Sequence, residues 1–105
     1  MIVRSWRGRA TPPGAPDYEH HFRRNVLAAL RGLDGFMGAS LLRREDHGEV
    51  EFHVLTRWRS LNSVRAFAGA DISRAVVEPE AEAALISFDK TVTHYEVVAD
   101  EMLGA

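Results

Sequence analysis

Residues 35–59 read GFMGASLLRREDHGEVEFHVLTRWR. In the second half of this stretch Val50, Phe52, Val54, Thr56 and Trp58 fall on one side. Glu51, His53, Leu55, Arg57 and Arg59 fall on the other. That two-residue period is the signature of a strand with one apolar face. Asp46-His47-Gly48 is a short turn carrying a glycine, so Gly35–Arg44 and Glu49–Arg59 read as the two arms of a β-hairpin. An apolar hairpin face must be covered, and the flanking sequence supplies the cover.

Upstream the period changes from two to between three and four. Tyr18, Phe22, Val26, Leu27, Leu30 and Leu33 form one apolar stripe, which predicts a helix from Asp17 with Gly32 as its stop. Thr11–Pro16 holds three prolines and a glycine and reads as a loop. Ile2–Ala10 before it, with Val3 and Trp6, reads as a first strand. Downstream, Ser60 caps a second helix whose inner side is Leu61, Val64, Phe67 and Ala68, and Gly69 ends it. Asp71 is expected to cap one further turn through Ala75. Pro79 opens a short helix reaching Leu85, and Phe88–Val98 is expected to be the last strand. The order β-α-β-β-α-β predicts an α+β, ferredoxin-like domain: a four-stranded antiparallel sheet with helices on one face. The whole chain, 1–105, reads as one such domain. Its third strand carries Leu55 and His53 on the face the helices leave open. A homodimer that buries this face is therefore expected.

Composition narrows the function classes. There is no cysteine, which excludes disulfides, thiolate nucleophiles and cysteine-based zinc sites. A net charge of −2 gives no electrostatic case for nucleic acid or an anionic membrane as partner. No apolar run approaches the ~20 residues of a bilayer span, and no signal peptide precedes the first strand, so a cytoplasmic protein is expected. Gly-rich phosphate loops and nucleophile elbows are absent.

Four stretches, in order, carry a family resemblance: Gly35-Phe36-Met37-Gly38-Ala39, Thr56-Arg57-Trp58-Arg59-Ser60, Ala66-Phe67-Ala68-Gly69-Ala70-Asp71 and Val92-Thr93-His94-Tyr95-Glu96-Val97. Together, from about Val3 to Val98, the chain resembles the antibiotic biosynthesis monooxygenases of the dimeric α/β-barrel type. The resemblance implies a homodimer with a small pocket in each subunit between helices and sheet. Some members of that family oxygenate polycyclic aromatic compounds with O₂ and no cofactor. Others degrade haem with an Asn, a Trp and an iron-ligating His. Trp58 matches that Trp, but Asp71–Val77 has no His where the iron ligand would be, and the first strand has no Asn. No tightly bound haem, flavin or metal is therefore expected.

The candidate site follows. His94, in mid-strand with Val92 and Glu96 on its face, is the best proton acceptor by its ordinary pKa of about 6.5. Its plainer reading is a structural histidine bridging a dimer or a backbone carbonyl. Trp58 and Trp6 would wall an apolar pocket with Phe67 behind them; each could instead be a core side chain. Tyr18, Phe22 and Phe36 read as core. His20 and His21 are neighbours on a helix, diverge by about 100° and cannot chelate one ion as an i,i+4 pair could, so no metal site is expected. The leading expectation is a cofactor-independent oxygenase for a small aromatic substrate, with His94 assisting deprotonation. The alternatives are a non-catalytic ligand-binding or scaffold dimer, which a closed, fully packed interior around Trp58 with no cavity would favour, and a lactone isomerase-like enzyme.

Overall fold

The computed structural model describes residues 1–104. Its elements are β1 (Ile2–Ala10), α1 (Ala15–His21), a π-helical turn (Phe22–Val26), α2 (Leu27–Arg31), β2 (Phe36–Asp46), β3 (Glu49–Trp58), α3 (Leu61–Ala68), α4 (Pro79–Ala84), β4 (Ser87–Phe88) and β5 (Thr93–Glu96). The sheet is antiparallel, in the order β2-β3-β1-β4, with β5 pairing the other end of β1. This is the expected ferredoxin-like arrangement, with helices on one face. Among the described residues no helix is long and apolar enough to cross a membrane.

The hairpin closes through His47 and Gly48, with φ of 51° and 77°. Positive φ at both central residues matches the right-handed twist of the strands, which keeps Asp46 opposite Glu49. Buried and half-buried residues then alternate along β3 without interruption. Gly35 takes φ +82° as the chain enters β2, and a Cβ there would run into the Ser63 side chain of α3. Glycine is required on both counts. Ser60 accepts a hydrogen bond from Ser63 N at 3.3 Å and starts α3 as expected.

Two stretches differ from the sequence reading. The first helix contains a π-helical turn that no residue type marks. The last strand is broken rather than continuous from Phe88 to Val98. β4 pairs with Gly8 and Arg9, β5 pairs with Ile2–Ser5, and the backbone between them turns to other partners. Trp6 Nε1 donates to Asp89 O at 2.7 Å, Val92 N donates to Ser73 O at 2.8 Å and Ala75 N donates to Lys90 O at 2.9 Å. Asp71 does cap a turn, accepting from Ser73 N and Oγ, but from Arg74 the chain joins this bridge instead of continuing as helix.

The helix side of the sheet holds two core clusters. One gathers Tyr18, Phe22, Val50 and Phe52 beneath α1 and α4. The other gathers Leu30, Trp58 and Val64 beneath α2 and α3. Between them the packing opens.

Candidate functional site

The opening is a cavity of about 100 Å³. β1 contributes Arg4 and Trp6 to its lining, β3 contributes Val54 and Thr56, and α1 contributes Tyr18 and His21. Phe67 comes from α3, and Val76, Val77 and Glu78 from the chain leading into α4. Strand alternation explains the first four: even-numbered residues of β1 and β3 all face the helices. The walls are mostly apolar, so the polar groups stand out.

Arg4 is 5% exposed. It donates through Nη1 to Ile72 O at 2.7 Å and through Nη2 to Arg74 O at 2.8 Å. A further contact joins Nη1 to His94 Nε2 at 2.9 Å. Its guanidinium carbon lies 5.8 Å from the centre of the Phe67 ring, within cation–π range. Among the described residues no carboxylate forms an ion pair with Arg4. Burial lowers its pKa, yet a guanidinium stays protonated. The result is a buried cation held by two carbonyl dipoles and one imidazole, with part of its donor set unused. Nε–H and one Nη2 hydrogen have no protein acceptor among the described residues.

His94 is half-buried beside the cavity rather than in its wall. Burial first, and then the charge of Arg4, hold its pKa below the ordinary histidine value. Arginine can only donate, so Nε2 accepts and Nδ1 carries the proton. The lone pair that a base would use is therefore already engaged.

Trp58 is fully buried and is not in the lining. Its Nε1 donates to Thr56 Oγ1 at 2.9 Å, and its ring stacks on Phe67 at 5.4 Å and meets Phe36 edge-on at 5.5 Å. The interior around Trp58 is closed, and the cavity lies past Phe67. Of the four residues singled out in the sequence, Trp6 and Phe67 line the cavity, Trp58 backs Phe67, and His94 reaches it only through Arg4. Burial also pushes up the pKa of Tyr18, whose hydroxyl stays protonated.

Arg4 and His21 are the residues the sequence reading missed. His21 is 4% exposed, and its Nε2 has no hydrogen-bond partner among the described residues. Its position three residues after Tyr18, on the same helix face, was the available signal.

Residues 1–79 match the family model for antibiotic biosynthesis monooxygenase. The chain belongs to this family. No curated protein matches it. Among solved structures, the monooxygenase-family fold recurs in a Bacillus cereus protein described as an antibiotic biosynthesis monooxygenase. That protein has a TM-score of 0.71 and 16% identity, over 100% of this chain and 98% of that one. The haem degrader MhuD of Mycobacterium tuberculosis, solved with two haems in its active site, gives a TM-score of 0.65 and 26% identity over 97% and 100% of the two chains. The ActVA-Orf6 monooxygenase of Streptomyces coelicolor, solved with nanaomycin D, gives 0.58 and 16% over 99% and 92%. β5 and His94 lie beyond the residues that the family model matches.

Proposed function

We propose that this chain is a cofactor-independent monooxygenase for a small aromatic substrate whose ionisable oxygen is held by Arg4. The observation that carries this reading is a buried guanidinium without a carboxylate partner in the wall of an otherwise apolar cavity. Such a group favours the anionic form of a ligand that meets it. An electron-rich phenol or anthrone, once ionised, can transfer electrons to O₂ from its own ring. In an anthrone the ring methylene loses two hydrogens. One atom of O₂ becomes the new carbonyl oxygen, and the other leaves as water with those hydrogens. Trp6 and Phe67 would hold the ring, and Trp58 would set the position of Phe67 by stacking on it. His94 is in this reading a positioning residue. Accepting a proton at Nε2 would break its contact with Arg4 and place two cations side by side.

A haem-degrading reading is less well supported. The wall segment from Asp71 to Val77 offers no histidine, and the histidine in the lining, His21, comes from α1. The test is aerobic and anaerobic incubation with a panel of anthrones and hydroquinones, using ¹⁸O₂ to trace the new carbonyl. O₂-dependent conversion with label in the product is expected. No turnover on any of them by folded protein would remove the proposal.

The same reading includes a cytoplasmic homodimer. The open sheet face carries Leu55 and His53 together with Leu42 and Tyr95, the last two 46% and 57% exposed. A second copy packed sheet to sheet would bury this surface. Light scattering on diluted protein decides it: a stable folded species of 11.7 kDa would show that no such dimer exists.

A further inference from the structure

We propose that His21, Glu78 and Glu80 form a site for a first-row divalent transition-metal ion in the α1–α4 wall of the cavity. A ring nitrogen of His21 and one carboxylate oxygen from each glutamate lie within 4.8 Å of one another. The two carboxylates alone would be an ordinary acidic pair. What points to a ligand is the histidine. It is 4% exposed, and Asn25 Nδ2 lies 2.9 Å from its Nδ1, while Nε2 has no partner among the described residues. A buried imidazole nitrogen left bare costs free energy on the order of 1–3 kcal/mol, so something is expected to complete it.

The Asn25 contact suits a metal ligand. With the carboxamide turned so that its oxygen accepts from Nδ1–H, the tautomer is fixed and Nε2 keeps its lone pair. That outer support is what a ligating histidine needs. No basic side chain among the described residues forms an ion pair with Glu78 or Glu80. Two unpaired carboxylates and one neutral imidazole would balance a dication. Ligand atoms 2.0–2.2 Å from a shared ion sit about 2.8–4.4 Å apart. Closing from the observed spacing therefore needs only small side-chain rotations, and exposed Glu80 is free to make them. A mixed imidazole and carboxylate set selects zinc, cobalt, manganese or iron over calcium and magnesium, which prefer oxygen alone.

The sequence argued against a metal because His20 and His21 diverge. The fold instead brings His21 to the start of α4, 57 residues further along in the case of Glu78. Three protein ligands would leave coordination positions open, and His21 and Glu78 both line the cavity. An ion there would present a second positive centre to a ligand in the cavity that Arg4 also lines. This inference is independent of the proposed oxygenase activity.

The experiment uses untagged, chelator-treated full-length protein, with Co²⁺ followed by its visible absorption and Zn²⁺ by calorimetry. One ion per chain is expected. Affinity should fall at least tenfold in Glu80→Gln and in His21→Gln, and by about 10- to 100-fold in Asn25→Ala if it acts as the outer partner. His20→Asn should be unchanged. Glu80 is exposed, so Glu80→Gln decides the matter even if His21→Gln fails to fold. Absence of saturable 1:1 binding overturns the site, as does binding that Glu80→Gln leaves intact, since the ion is then held elsewhere.

Discussion

Replacing Arg4 with methionine separates a binding role from a stabilising one. The side chain's hydrogen bonds to Ile72 O and Arg74 O, at 2.7 and 2.8 Å, are charge-assisted. Each contributes about 1.5–3 kcal/mol. Against that stands the desolvation of a cation without a counter-ion, which costs several kcal/mol. The two nearly cancel, and methionine refills most of the volume. Arg4→Met should therefore change unfolding free energy by less than about 2 kcal/mol, or roughly 8 °C in Tm for a chain of this size. Loss of a preorganised donor facing a developing oxyanion is far larger, about 2.7–4 kcal/mol, or 10²- to 10³-fold. The assay pairs urea unfolding with titration of 2-naphthoate and its neutral isostere 2-naphthalenemethanol. Binding of the anion should collapse, while the neutral ligand shifts by less than about threefold. The reasoning fails if Arg4→Met binds the anion like the parent, or if both ligands weaken equally.

Three further outcomes follow from the geometry. His94 and His53 both titrate below the ordinary value when folded, through burial first and then Arg4 and Arg7 respectively. The unfolded chain thus binds more protons below about pH 6.5. Stability should be fully present above that pH and fall as pH drops through the folded values, and His94→Gln should flatten the trend in urea midpoints. Gly35→Ala should cost about 3 kcal/mol, part from φ +82° and part from overlap with Ser63, as read by chemical denaturation. Trp58→Ala should cost about 3–5 kcal/mol by the same measurement and weaken aromatic ligands by releasing Phe67.

The hairpin and its faces were legible because alternation in β3 is uninterrupted and Asp46-His47-Gly48 leaves few ways to turn. The break in the last strand was not, because it depends on Trp6 reaching Asp89 across 83 residues. Local propensity contains no such information. For the same reason Trp58 could be recognised as an interior indole, but not as one hidden behind Phe67. Arg4 escaped notice since an arginine in a strand reads as surface. Only the register that sets it against Thr56 and His94 shows it turned inward. His21 was visible as a residue but not as a neighbour of Glu78, because that proximity is purely tertiary.

The broken strand leaves the protein with two tiers of local stability. β1 is hydrogen-bonded along its length on one side by β3, so the amides it directs to β3 should exchange with solvent only on global unfolding. The wall from Asp71 to Glu78 contains no helix or strand. It is fastened by the backbone bonds at Ser73 and Ala75 and by the two carbonyl contacts of Arg4. Its opening free energy should lie below the global value, so Ala75 and Val92 should exchange early. A ligand would then leave the cavity at the pace of this segment's fluctuations. Changes in the β2–β3 hairpin that shift overall stability would leave its residence time almost untouched.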